Sequence, residues 1–329
     1  MDKKEPIIQS CDLNIAILIP CYNEGISVAS VVNDFRSVFP SSPIYVYDNN
    51  STDNTVQEAI NAGAIIRHEK LQGKGQVVRR MFADIEADIY VLVDGDATYP
   101  AECAPQMLQA ILSEGLDMAT AVRQHEDNTA YRFGHQFGNR LFTTLISSLF
   151  GNRCSDILSG YRAFSNRFVK SFPAASSGFE IETEFTIHAL QMSMAITEFK
   201  CSYFPRPLGS ESKLLTYRDG LKIVRMIFLL IMQEKPFIFF SVISGVLLML
   251  SIGVGVPFVI YPWLETGHVT RVASAVLSMG FGLLSFIAIT LGIILDAITN
   301  GRKELKRIAY LNFKNPYYNR PRFLDNKLK

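Results

Sequence analysis

Two stretches of this chain constrain its environment more than anything else in it. The segments "FIFFSVISGVLLMLSIGVGVPFVIYPWL" (237–264) and "VASAVLSMGFGLLSFIAITLGIILDAI" (272–298) carry no charge before Asp296. Each exceeds the roughly 20 apolar residues with which a helix crosses a bilayer. Buried helices of a soluble core are the competing reading, but they are shorter than this, so two transmembrane helices are expected. The segment after the second run, "TNGRKELKRIAYLNFKNPYYNRPRFLDNKLK" (299–329), is rich in Lys and Arg, whereas the connector "ETGHVTR" holds only Arg271 as a fixed positive charge. The positive-inside rule then puts 299–329 in the cytoplasm as a basic tail, and an even number of spans returns the N-terminal part to the same side. The opening "MDKKEPIIQSCD" lacks an apolar signal region, which fits a domain that is not exported. The expected location is therefore a plasma or inner membrane, multi-pass, with both termini cytoplasmic.

Just before the first run, residues 216–236 pass from mixed charge to apolar in "TYRDGLKIVRMIFLLIMQEKP". This suits a helix lying at the membrane surface with Lys222 and Arg225 near lipid phosphates. An amphipathic helix of the protein core is the alternative.

Residues 1–215 are of a different kind. The whole chain has 329 residues, 48% of them apolar, which is enough for a sizeable core and excludes a disordered protein. Its net charge of +1 exerts no overall pull toward nucleic acid, and none is expected as a partner. Cys11, Cys21, Cys103, Cys154 and Cys201 form no C-x-x-C pair and read as reduced, largely buried thiols. Strand-length apolar runs at 14–20, 44–48, 64–69, 88–94 and 117–122 alternate with helix-length stretches at 27–38, 54–62, 74–86 and 103–114. Such alternation implies an α/β domain, Rossmann-like, with a mostly parallel sheet covered by helices.

In such sheets ligands gather at the carboxyl ends of the strands. Three of the runs end in acids there: Glu24 soon after the first, Asp48 closing the second, and Asp94 with Asp96 after the fourth in "VLVDGDATYP". Acids at one edge suit a divalent cation and the polar end of a nucleotide. Alone, a D-x-D is as readily a solvated turn.

The set narrows the reading. "PCYNE" (20–24), "DNNSTDNT" (48–55), "GKG" (73–75), "DGDATYP" (94–100), "SDILSGYRAF" (155–164) and "FPRPLGSESKL" (204–214) follow in an order and spacing that resembles family 2 glycosyltransferases. More narrowly they are similar to the polyprenyl-phosphate branch related to dolichol-phosphate mannose synthase, and the two-span tail is similar to its bacterial bactoprenol-phosphate members. The resemblance implies a GT-A catalytic domain and Mg²⁺ or Mn²⁺. It also implies inverting transfer of a sugar from a UDP- or GDP-linked donor to a polyprenyl phosphate, undecaprenyl or dolichyl, a hexosyltransferase activity serving envelope glycans. The sequence is compatible with a homo-oligomer.

By that likeness Pro20, Tyr22, Glu24, Asp48 and Asp53 line the nucleotide pocket, although Asp53 is equally placed to cap a helix. Lys74 in "GKG" belongs either to a phosphate cradle or to a turn opening a helix, since Val78 stands where a dinucleotide fingerprint has its third glycine. Asp96 with Asp94 would hold the metal against the donor diphosphate. Relatives often carry glutamine where this chain has Thr98, whose hydroxyl or a water then substitutes as third ligand. Arg123, Arg132 and Arg140 fall where related enzymes bind the acceptor phosphate, whose geometry suits the guanidinium fork; each alone also reads as a surface charge. Asp156 matches the acid beside the reaction centre, as base or as orienting group. Arg206, Ser212 and Lys213 would close over the leaving diphosphate, a basic membrane-surface loop being the other reading. Two rivals differ in what they require. A processive polysaccharide synthase would carry Q-x-x-R-W and more spans, whereas the single tryptophan here is Trp263 inside a span. A membrane-anchored nucleotide-binding regulator would keep Asp48 without needing Asp156 or the arginines.

Overall fold

The computed structural model describes residues 13–124, 155–174, 176, 178, 180–207, 232 and 234–315. Seven strands form one sheet in the order β3-β2-β1-β4-β6-β5-β7. They are β1 (Ile15–Cys21), β2 (Ile44–Asp48), β3 (Ile65–His68), β4 (Ile89–Leu92), β5 (Met118–Gln124), β6 (Arg162–Ser165) and β7 (Ile196–Ser202). β6 runs antiparallel to both its neighbours, and every other pairing is parallel. The expected α/β domain is thus observed, and the strand read at 44–48 coincides with β2.

The sheet is buried on both faces because β1 alternates between two cores. Ile15, Ile17 and Ile19 join one, with Val28, Val31, Val32 and Phe35 of α1 (Val28–Val38) and Met107, Leu108 and Ile111 of α4 (Ala104–Glu114). Ala16 and Leu18 join the other, with Val77, Val78, Met81 and Phe82 of α3 (Lys74–Asp84). Those helical residues recur at the spacing that puts them on one face. The second core is aromatic: Phe82, Phe164, Phe168, Phe172 and Phe185 stack at centroid distances of 4.6–6.3 Å, the latter residues supplied by β6, α5 (Asn166–Ser171) and α6 (Ile181–Gln191). α2 (Thr55–Asn61) links β2 to β3.

Register sets where the strands end. Cys21 lies opposite Asp48, and Leu18 opposite Leu92, so the residues after β1, β2 and β4 emerge together at one edge. Because the order turns back between β1 and β4, that edge carries a crevice. The reversed β6 matters equally: Arg162, its first residue, faces both Leu92 and Thr120, so the loop before it delivers 155–161 to the same edge.

One sequence reading is corrected here. Cys103 and Cys201 are joined as a disulfide across a separation of 98 residues. Their spacing gave no sign of it, since the turn before α4 and the end of β7 meet only once the sheet has formed. Cys21 is a buried thiol, as expected.

The chain divides into two compact units, one comprising Met1–Leu215 with Lys306–Lys329, the other Thr216–Leu305. Among the described residues the second holds two long helices, α7 (Pro236–Gly255) and all but the last turns of α9 (Val272–Leu311), with a π-helical turn over Val256–Ile260 and the short α8 (Tyr261–Thr266) between them. Pro257 lies in that turn, where its missing N–H interrupts the helical ladder. Two Ser pairs join the helices: Ser251 and Ser278 each donate to the other's carbonyl at 2.8 Å, and Ser285 donates to the Ser244 carbonyl at 2.9 Å. A Cβ on Gly255 would meet Ser278 Oγ at 2.5 Å, so small residues permit this approach. The outer faces expose Val242, Met249, Met279, Phe286 and many more apolar side chains. Both segments, Pro236–Thr266 and Val272–Leu311, are long and apolar enough to cross a membrane. The surface helix expected at 216–236 falls almost entirely outside the described residues.

The last turns of α9 belong to the first unit. Tyr310 donates its hydroxyl to the buried Asp117 at 2.9 Å, the Arg167 guanidinium binds the same carboxylate and covers the Tyr310 ring, and Asn315 donates to the Gly115 carbonyl at 2.8 Å. Part of the segment read as a basic tail is therefore helix with a defined seat.

Candidate active site

The floor of the crevice is two loops tied together by side-chain to backbone hydrogen bonds. Asn23, in the left-handed region at φ 52°, accepts from Thr52 N at 2.8 Å, Glu24 N donates to Thr55 Oγ1 at 2.8 Å, and Gly25 N donates to Asp53 Oδ2 at 2.9 Å. Asp53 also accepts from the amide and hydroxyl of Thr55. Burial works against its ionisation, yet these hydrogen bonds prevail and hold its pKa below the usual value. One of its oxygens therefore serves the turn into α2 and the other the loop after β1, while the N-cap position of α2 is Asn54, one residue on from the cap considered above. Asp48 is buried at the end of β2, accepts from Ser51 N at 3.2 Å and has His68 Nδ1 at 3.4 Å. Asn49 binds the carbonyls of Glu69 and Leu71 and the amide of Gly73, fixing the loop that leads to Lys74. Tyr22 presents an exposed ring, while Glu24 is buried beneath it in sequence and Pro20 lies half-buried.

After β4 comes the D-x-D. Gly95 between the aspartates has no room for a side chain, because a Cβ would stand 2.6 Å from Cys21 Sγ. Asp96 is 3% exposed; its Oδ1 accepts from the Thr98 amide and hydroxyl at 3.2 and 2.6 Å, and its Oδ2 contacts the Arg206 guanidinium at 2.7 Å. Burial and the charge of Asp94 raise its pKa against the opposing pull of Thr98 and Arg206. Thr98, anticipated as a ligand, is buried with its hydroxyl on Asp96, and so aligns that carboxylate. Ala97 occupies the left-handed region at φ 57°, a conformation that costs a non-glycine residue energy and that sharpens this turn.

Asp94 is paired differently. The Lys74 ammonium, at the first residue of α3, contacts both Asp94 Oδ1 and Glu182 Oε1. Burial pulls the pKa of this lysine down, but the two carboxylates outweigh it and raise the pKa above the ordinary range. "GKG" thus opens a helix and turns its lysine onto the D-x-D.

The side wall comes from β5 and the loop before β6. Arg123 binds Asp156 with both arms of its fork, Nε to Oδ2 at 2.7 Å and Nη2 to Oδ1 at 2.8 Å. Although burial opposes it, that pairing, helped by Arg162, brings the Asp156 pKa below the ordinary carboxylate value. Arg123 also lies 5.7 Å from the Tyr203 ring centre, which packs edge-on against Tyr99 at 5.1 Å. Ser155 donates to Glu198 from both its amide and its hydroxyl. The wall meets the floor at Gly160, where an added Cβ would fall against the Asp94 carboxyl carbon at 2.8 Å.

The structure therefore gathers Glu24, Asp48, Lys74, Asp94, Asp96, Arg123, Asp156 and Arg206 at one sheet edge. Arg132, Arg140, Ser212 and Lys213 lie outside the described residues. Sequence reasoning missed Glu182 and the role of Arg162, which is wholly buried and braces 155–161 by donating to the carbonyls of Ile157 and Ser159 at 2.6 and 2.9 Å. A signal existed for Glu182: in "FEIETEF" it stands three residues before the core Phe185, an acid at a helix position reserved for apolar side chains.

Two carboxylates one residue apart fit a divalent cation. Among the described residues no group of three or more acidic, His or Cys side chains is arranged to cage an ion. Mg²⁺ does not need one: it is commonly held by one or two carboxylates with substrate phosphates completing the shell. The pKa of Asp96 is raised first by burial and then by the charge of Asp94, the pair that a cation between them would relieve.

The family model for glycosyl transferase family 2 matches residues 16–172. Protein RfbJ of Shigella flexneri is 52% identical over 124 residues, covering 37% of this chain and 96% of that protein. Glycosyltransferase AglJ of Haloferax volcanii is 32% identical over 300 residues, or 90% of this chain and 98% of its own. The dolichyl-phosphate hexose transferase of the same organism is 25% identical over 68% of this chain and 96% of its own. Among solved structures, glucosyl-3-phosphoglycerate synthase from Mycobacterium tuberculosis, in complex with Mn²⁺, UDP and glucosyl-3-phosphoglycerate, superposes with a TM-score of 0.53 at 22% identity. The match covers 67% of this chain and 79% of that one, a likeness of fold. With its parallel sheet, D-x-D and matched relatives, the chain belongs to glycosyl transferase family 2 and is a glycosyltransferase.

Proposed function

We propose that this enzyme transfers a sugar from a UDP- or GDP-linked donor to a polyprenyl phosphate, with inversion, giving a polyprenyl-phosphate sugar and a nucleoside diphosphate. The observation that carries the reading is the pairing at the crevice: a D-x-D countered by Lys74 and Arg206 on the floor, and a preformed Arg123–Asp156 fork on the wall. The names of two relatives, a dolichyl-phosphate hexose transferase and an undecaprenyl-phosphate mannosyltransferase, support the acceptor class.

Tyr22, Glu24 and Asp48, with Pro20, would receive the nucleoside, and Asp94 and Asp96 a Mg²⁺ or Mn²⁺ ion. When bound, that ion supplies charge to neutralise the donor diphosphate. Arg206, now on Asp96, is within reach to exchange its carboxylate for a departing phosphate oxygen. Arg123 offers its charge to the acceptor phosphate while Asp156 fixes the plane of its fork. A phosphate monoester with second pKa about 6 is largely ionised at neutral pH, and a carboxylate of depressed pKa is a weak base. Asp156 therefore acts by orientation, and the acceptor oxygen attacks the anomeric carbon without first losing a proton to the protein.

Full-length protein in detergent, given undecaprenyl phosphate, Mn²⁺ and a panel of labelled nucleotide sugars, should yield a lipid-soluble labelled product only when the lipid phosphate is present. Transfer to a soluble acceptor without it would overturn the acceptor class, and binding without turnover would favour a nucleotide-binding regulator. We infer further, from the Lys and Arg after 298 and their scarcity in 265–271, that the catalytic domain and both termini are cytoplasmic. A cysteine placed in 265–271 should then label from outside intact cells; labelling of one placed in 316–329 instead would reverse the orientation.

A further inference from the structure

We propose that Glu182 is a positioning residue for the cation site: by sharing the Lys74 ammonium it leaves Asp94 with negative charge for a divalent ion. This rests on the assignment of Asp94 and Asp96 to that ion.

The geometry is a carboxylate, an ammonium and a second carboxylate in line. Lys74 Nζ contacts Asp94 Oδ1 on one side and lies 2.6 Å from Glu182 Oε1 on the other, with the lysine and glutamate side chains only 8% and 6% exposed. Were Lys74 matched to Asp94 alone, the two would form a neutral, closed pair, and an arriving cation would have to displace the ammonium. With Glu182 present the ammonium faces two carboxyl groups rather than one, and Lys74 has a second partner to hold it when Asp94 turns to the ion. Lysine's three donors permit this division.

Glu182 is poorly explained as a purely structural group. Its Oε2 is buried with no hydrogen-bond partner. A buried carboxylate left half-paired is a cost to folding, and apolar residues commonly replace buried ion pairs at no loss of stability. α6 nevertheless carries it on the face that Ile181 and Phe185 bury in the aromatic core. Gly160 adds to the argument, for its lack of a side chain lets the 155–161 loop close against Asp94, leaving the carboxylate flanked by Lys74 on one side and backbone on another.

The test is Mn²⁺ binding to the full-length protein in detergent, followed by the electron paramagnetic resonance of free Mn²⁺, with thermal unfolding measured in parallel. Glu182→Gln keeps the shape and removes the charge; its Kd for Mn²⁺ should rise about tenfold, the scale of one charge lost at close range in a partly screened site, while the unfolding midpoint holds or rises. Glu182→Asp, which keeps the charge on a shorter stem, should recover most of the affinity. An unchanged Kd in Glu182→Gln, or a lowered midpoint with wild-type Mn²⁺ affinity, overturns the proposal. Asp96→Asn, run alongside, separates the two levels. Mn²⁺ uptake indifferent to Asp96→Asn overturns the metal assignment itself, whereas uptake that Asp96→Asn removes and Glu182→Gln leaves intact overturns only the role of Glu182.

Discussion

Asp96 on the floor of the crevice and Asp156 on its wall are buried to nearly the same extent, at 3% and 6% exposure, yet their acidities move in opposite directions. Burial acts alike on both. The difference lies in what each region places beside its carboxylate: a second aspartate on the floor, a two-armed arginine on the wall. On the floor two carboxylates stand one residue apart and draw Lys74 and Arg206 to them; on the wall one carboxylate is matched to one fork. One sheet edge thereby holds two carboxylates in opposite electrostatic settings, the contrast on which the proposed transfer from a metal-bound diphosphate to a phosphate acceptor rests.

The largest effect should come from breaking the floor. Asp96→Asn removes the carboxylate best placed for the cation and should lower transfer by about a thousandfold, the scale for losing a preorganised electrostatic contact, with Mn²⁺-dependent donor binding weakened in calorimetry. Donor binding that stays metal-dependent and unaltered would mean the floor holds no ion at Asp96.

Next in size is the wall. Asp156→Asn should lower kcat by about 10 to 100 fold while donor affinity stays near that of the wild type. Its pH profile sharpens the comparison. Because the Asp156 pKa lies below the ordinary carboxylate range, this residue stays ionised as pH falls from 8 to 5 and adds no acid limb there, so any limb near the acceptor's second pKa of about 6 should persist in the mutant. A limb that disappears with Asp156 would make it a base after all.

Smaller again is the arginine. Arg123→Lys keeps a charge and loses the fork, so the lipid KM should rise about tenfold with kcat less affected; an unmoved lipid KM would show that the acceptor phosphate docks elsewhere. The smallest effect tests the scaffold under the floor. Asp53→Asn should cost about 1 kcal/mol of stability, as removal of a helix-start acceptor does, with little change in donor affinity. Since the folded-state pKa of Asp53 is depressed, its contribution is present above the unfolded value near 4 and fades as pH falls through the lower folded one. The stability gap between wild type and variant should accordingly close in acid.

Much of the floor was legible because a strand of apolar residues and the acid that ends it are neighbours in sequence, as in "IYVYD" and "VLVDGD". The wall was legible only in part. Asp156 and Arg123 stood out by their resemblance to known motifs, but their mutual pairing depends on β6, whose four residues "RAFS" are too short and too evenly buried to show a strand period. Glu182 and the Cys103–Cys201 bond escaped for the same reason: each is defined by a partner about a hundred residues away. Arg162 is a buried brace whose partners, the Ser159 and Ile157 carbonyls and the Thr186 hydroxyl, no local pattern announces.

The reversed strand β6 has a consequence for how such an enzyme changes over time. Held between β4 and β5 by the pairings of Leu92 and Thr120 with Arg162, it works as a fixed socket into which the preceding loop plugs. Within that loop Gly160 has no room for a side chain, the Ile157 and Ser159 carbonyls hold the Arg162 guanidinium, and Asp156 holds Arg123, so a change of sequence is absorbed at the exposed Leu158 rather than along the whole segment. The reversed strand thus narrows where such a loop can vary, and an engineer altering the wall would begin at Leu158.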